Sequence, residues 1–163
     1  MPLIQVEKTD LPDHSALHAF RHAGDFLDCY RVASDLPPRA AAGVIVAFPA
    51  WARVLVVLRN VLTAPFGLRP DGPESPDKLG PFPVTGETED EVIAGFDDRH
   101  LNFRVGVLST GSHVFLSTWV RPHHNGGRLY LAAILPFHIM IVRNALTRVA
   151  KQAAPGPRVP AQK

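Results

Sequence analysis

The chain has 163 residues, 46% hydrophobic and 20% charged, which is one domain's worth of an ordinary globular sequence rather than a disordered one. Its single cysteine, Cys29, excludes an intramolecular disulfide and every multi-cysteine zinc or iron–sulfur framework. The net charge of +2 hides a split: residues 71–98 hold nine acids against Lys78, while residues 99–163 hold nine Lys or Arg and no acid.

Those late bases are separated by long apolar stretches instead of being clustered with aromatics, so no nucleic-acid partner is expected. Walker, GxGxxG, HExxH and GxSxG fingerprints are absent. The opening Met-Pro-Leu-Ile-Gln-Val-Glu-Lys lacks the basic and apolar regions of a signal peptide. The longest apolar runs, from Ala40 and from Leu129, fall short of the roughly 20 residues a bilayer-spanning helix needs. No transmembrane segment and a cytoplasmic location are therefore expected.

A short helix is expected over residues 13–23, with Asp13 as its cap and Gly24 ending it. It would carry His14, His18 and His22 at i, i+4 and i+8, a spacing at which two histidines can share a metal ion. No carboxylate stands at the HExxH position, so a solvated helix face and no metal are expected. Residues 25–33 read as a strand of aromatic and β-branched residues, with Cys29 as a small buried hydrophobe. After Pro37-Pro38, one helix is expected over 40–48 and a second from Pro49 to Thr63. In the second, Trp51, Leu55, Leu58 and Leu62, widened by Val54 and Val61, form a stripe that predicts packing against a core. Residues 66–83, rich in proline and glycine, read as a long connection.

Three strand-like runs follow, at 91–96, 101–108 and 113–121, joined by the turn-like links Asp97-Asp98-Arg99-His100 and Ser109-Thr110-Gly111-Ser112. Symmetric closure of each link predicts pairs such as Val92 with Val105, Ala94 with Phe103, Val105 with Leu116 and Leu101 with Val120. One face of this sheet is then almost wholly apolar, with Phe96, Phe103, Val105, Leu116 and Val120 among its members. The other face holds Glu91, Ile93, Arg104, Leu108, Phe115, Trp119 and Arg121, with Glu91 diagonal to Arg104 in reach of an ion pair. A helix is expected over 128–151, kinked or begun by Pro136. Residues 1–151 thus form a single domain, and 152–163 read as a disordered basic tail.

The segments FPAWARVLVVLRNVLTAPFGL, GPFPVTGETEDEVIAGFDDRHLNFRVGVL and GGRLYLAAILPFHIMIVRNAL resemble the bacterial family called domain of unknown function 2867, from about Asp25 to Leu146. That family is similar in layout to START/Bet v 1-like (SRPBCC) helix-grip proteins. The resemblance implies an α+β fold, a curved antiparallel sheet wrapped around a long C-terminal helix, and an apolar cavity between them. It brings no catalytic residues, because no activity is assigned to the family.

On these grounds the expected function is binding of a small hydrophobic or amphipathic molecule, without a cofactor. Phe103, Val105, Leu116 and Val120 on the sheet would face Phe137, His138, Met140 and Ile141 on the helix across the cavity; the alternative is that these side chains simply fill a core. His138 reads as a hydrogen-bonded histidine of the core or pocket edge. Arg121 or Arg128 is placed to hold a ligand carboxylate or phosphate. No catalytic activity is expected, since the inner face carries no ionisable side chain. The rival is a cyclase, hydrolase or isomerase using His100, His123 or His124 with Asp97 or Asp98, which the register brings to one end of the sheet. The outward Ile93, Leu108, Phe115 and Trp119 would form an apolar patch, suited to a homodimer or to docking on a Rossmann-type partner unless the 66–83 segment or the N-terminal segment covers it.

Overall fold

The computed structural model describes residues 3–66 and 73–152. A seven-stranded antiparallel sheet has the order β1-β2-β7-β6-β5-β4-β3, with β1 Glu7–Lys8, β2 Phe26–Ala33, β3 Lys78–Leu79, β4 Phe82–Glu87, β5 Glu91–Asp97, β6 Leu101–Ser109 and β7 His113–Pro122. After β2 the chain crosses through α1 (Pro38–Val46) and α2 (Ala50–Thr63) to the far edge, returns strand by strand to β7 beside β2, and ends in α3 (Asn125–Gln152). This is the expected α+β layout, a sheet gripping a long C-terminal helix. The tail beyond Gln152 lies outside the described residues.

The core forms where α1 and the second half of α3 meet the inner sheet face. Ala41, Ala42 and Ile45 of α1 pack with Val142, Ala145, Leu146 and Val149 of α3 over Val92, Val107, Val114 and Leu116. Arg148 fastens the two helices by donating to the carbonyls of Val44, Ile45 and Ala47, the C-terminal acceptors that α1 cannot satisfy itself. By length and composition α3 is apolar enough to cross a bilayer, a sufficiency the run-length reading missed because it stopped at interrupting polar residues.

Both central hairpins differ from the expected register. Val92 pairs with Val107 and Ala94 with Val105; Val105 pairs with Thr118 and Phe103 with Val120. Each turn is a two-residue loop centred one residue later than symmetric four-residue links would put it. Asp98 N–H donates to the Leu101 carbonyl around Arg99-His100, and Thr110 N–H to the His113 carbonyl around Gly111-Ser112. Gly111 takes φ +81°, which favours glycine at the first position of such a loop. The resulting slip is two residues, so every side chain keeps its face. The Glu91–Arg104 ion pair is lost with the register, and Arg104 pairs instead with Asp97 at 3.0 Å.

The outward face is covered in part by the chain itself. Residues 10–25 do not form the expected helix; only a 3₁₀ turn, Ala16–Ala19, is present, capped by Ser15. Leu11, Leu17 and Phe20 pack on Ile93, Leu27 and Trp119. Buried Glu91 anchors this strap, accepting from Ser15 Oγ at 2.5 Å and Ala16 N at 2.7 Å. Ile93 and Trp119 are buried beneath this strap, Leu108 is buried too and Phe115 half-buried, so the N-terminal segment covers part of the outward apolar face.

The α2 helix departs most from expectation. Its stripe is not packed: Trp51, Val54, Leu58 and Val61 are exposed, and Ala52 is its one fully buried residue among those described. Leu62 lies outside the described side chains. Periodicity identified the helix but could not say whether its apolar stripe meets a partner. Val57, 61% exposed, should accordingly tolerate alanine within about 0.5 kcal/mol in urea unfolding; a loss above about 1 kcal/mol would show α2 to be packed in solution.

Candidate functional site

Between the sheet and the first half of α3 lies a cavity of about 330 Å³, within the range of small-molecule sites. The sheet supplies Ala94, Phe96, Phe103, Val105, Leu116 and Val120. The helix supplies Tyr130, Leu131, Ile134, His138 and Ile141, while Ile45, Phe48 and Val56 close the side toward α1 and α2. Phe103 stands at the floor's centre, edge-on to Phe96 at 4.7 Å and to Phe82 at 5.4 Å between centroids. Val142, Ala145, Leu146 and Val149 pack into the core toward the C-terminal half of α3, with Val142 and Ala145 also at the cavity's edge, and the span from Tyr130 to Ile141 stands over the open part of the sheet.

Of the residues the sequence pointed to, Phe103, Val105, Leu116, Val120, His138 and Ile141 line the cavity. Phe137 and Met140 do not; both are about half exposed on the outer side of α3. Their apolar spacing was compatible with the helix but did not fix its phase, because α3 is apolar nearly all round. Arg128 is exposed in the first turn and away from the lining. Phe26, Ala94, Thr118, Tyr130 and Ile134 line the cavity and were not singled out.

Arg121 points to the opposite sheet face. Its guanidinium bonds Asp25 through Nε and Nη2 at 3.1 and 2.9 Å, donates to the Phe20 carbonyl, and contacts His22. Asp25 also accepts from Trp119 Nε1 and from the His22 backbone N–H. The Arg121 hydrogen bonds are the largest cause holding the Asp25 carboxyl far below its ordinary value of 3.8, and burial opposes them only in part. A carboxyl depressed in the folded state stabilises the fold above its unfolded pKa, and this contribution is lost as pH falls through the folded one. Asp25→Asn should cost about 2 kcal/mol at neutral pH, discounted because Arg121 is one-third exposed. The gap from wild type in thermal melts should narrow as pH drops below about 4; a gap constant to strongly acid pH would contradict this role.

The Asp/His cluster does not converge on one point. Asp97 is largely exposed and paired with Arg104. Asp98 caps its own turn at Arg99 N and touches the cavity. His123 Nδ1 lies 3.1 Å from the Arg99 carbonyl, which only accepts. His124 Nδ1 accepts from the Gly127 N–H, and its Nε2 meets His100 Nδ1 at 2.8 Å. The His14, His18 and His22 spacing belongs to no helix, since His18 bonds the Pro12 carbonyl and His22 the Phe20 carbonyl. No group of three metal-ligating side chains occurs among the described residues. Cys29 is buried, and burial pushes its thiol up to about 11, as befits an inert packing residue.

One pair was not foreseen. His138 Nε2 lies 2.9 Å from Oδ2 of Asp28, a buried carboxylate on β2, and Oδ1 of that carboxylate has no partner among the described residues. The inner side of the protein is thus not free of ionisable groups.

These features define an α+β protein whose antiparallel sheet grips a long helix around an apolar cavity. The family described as protein of unknown function (DUF2867) matches residues 21–145, and the chain belongs to that family. No curated protein and no solved structure matches this chain.

Proposed function

We propose that this protein binds a small, mainly apolar molecule in the cavity between the sheet and α3. The observation that carries the reading is a volume of about 330 Å³ walled almost wholly by hydrocarbon and aromatic side chains inside a single domain. A ligand seated there would take this apolar wall out of water, which is favourable in proportion to the apolar area covered. The helix-grip layout supports it as well, since START/Bet v 1-like folds enclose ligands in this position. The catalytic alternative at the Asp97–His100 turn finds less support, because its carboxylates and imidazoles are committed to different partners. The test is native mass spectrometry of the protein purified from its own host, beside the denatured mass. A co-purified organic molecule is the expected result. A bare mass, together with failure to bind a neutral apolar dye such as Nile red, would overturn the reading.

A further inference from the structure

We infer that the ligand carries a hydrogen-bond donor, a hydroxyl on an otherwise apolar body, and that the Asp28–His138 pair reads it. This rests on the cavity being a binding site. An ionised carboxylate only accepts, so in its bond to His138 the proton sits on Nε2, and in the neutral ring Nδ1 is then an acceptor. His138 lines the cavity, and Asp28 beneath it is 6% exposed. Asp28 Oδ1 is buried with no partner among the described residues, a situation native interiors rarely leave unexplained. Thr118, the cross-strand partner of Asp28, presents a hydroxyl to the same space, and Asp98 adds a second carboxylate at the turn.

Of the polar side chains that line the cavity, Asp98 only accepts, the neutral His138 ring offers Nδ1 as an acceptor, and the hydroxyls of Thr118 and Tyr130 can either donate or accept. Among the described residues no Lys or Arg lines it, and Arg121, one of the two arginines expected to hold an anion, is spent on Asp25 across the sheet. A carboxylate or phosphate head would be desolvated facing Asp28 and Asp98, with no cation among the described lining residues to pair it. A hydroxyl would instead donate to Nδ1 and bring no further charge to face Asp28 and Asp98. Asp28 acts as a positioning residue, fixing the tautomer and the orientation of the ring.

Displacement of Nile red from the full-length protein at mildly alkaline pH tests this with three ligands of equal chain: decanol, its methyl ether and decanoate. Decanol should displace the dye at about tenfold lower concentration than the ether, which accepts but cannot donate, and decanoate should be the weakest. Replacing the pair together, His138→Leu with Asp28→Val, removes the acceptor without stranding a buried charge. It should abolish the advantage of the alcohol over the ether. Equal displacement by alcohol and ether, stronger displacement by decanoate, or a preference that survives the double substitution would overturn the inference. If Nile red itself fails to bind, the cavity reading falls; if it binds without discrimination, only this inference does. The comparison among ligands on the unsubstituted protein holds even if the double variant does not fold.

Discussion

Gly95→Ala is expected to destabilise the protein by about 4 kcal/mol. Gly95 lies within β5 opposite Arg104 of β6, with φ +149°, a region L-residues rarely adopt. A Cβ built there meets the Phe103 carbonyl oxygen at 2.3 Å and the Arg104 Cα at 3.0 Å. Both are backbone atoms of the neighbouring strand, so no rotamer change relieves the clash. β5 must withdraw from β6 at the cost of ladder hydrogen bonds, and the alanine must also be held at an unfavourable φ; each of the two costs about 1–3 kcal/mol. Gly86 in β4 is the control, because a Cβ there meets nothing within 4 Å. Gly86→Ala should stay within about 0.5 kcal/mol of wild type in urea unfolding. Equal stability of the two variants would mean that β5 and β6 do not approach as closely as described. The Gly95 position also matters for the cavity, since Ala94 and Phe96 on either side and Phe103 across the ladder all line it.

Which face each central strand presents was legible in the sequence, and the partners along it were not. Alternation fixes faces with period two, so an error of two residues in hairpin closure is invisible to it. The turn residues held the missing information: Gly111 marks the first position of a two-residue loop, and reading it so gives the observed pairing. β3 and β4 were hidden by Pro81 and Pro83, yet proline is tolerated at a sheet edge, where β4 pairs only with short β3 on one side.

The strap over the outer face was harder to see. Its histidines at every fourth position imitate a helix, while what holds it, Glu91 to Ser15 and Asp25 to Arg121, spans 76 and 96 residues of sequence. The Asp28–His138 pair is a contact of the same kind, across 110 residues. Local pattern can nominate each partner as a buried polar residue; only the fold, by putting β2 beside β7 and α3 above them, makes them a pair.

Val105→Trp should weaken binding of an apolar ligand about a hundredfold while leaving the fold intact. Val105 lies in the middle of β6, half-buried, with its side chain on the cavity wall. An indole there would extend into space that is now empty, where overpacking a filled core would cost about 1–3 kcal/mol. Its N–H has an acceptor at hand in the hydroxyl of Thr118, the direct cross-strand neighbour of Val105. The substitution therefore removes room for the ligand without creating an unpaired polar group. Thermal stability should be unchanged or slightly raised, since dispersion contacts replace a void. Nile red titration of the variant checks the affinity, and a melting curve checks the fold. Phe115→Ala, on the opposite face of β7 and absent from the lining, should leave binding as it was. A Val105→Trp protein that folds and still binds with wild-type affinity would place the ligand somewhere other than between the sheet and α3.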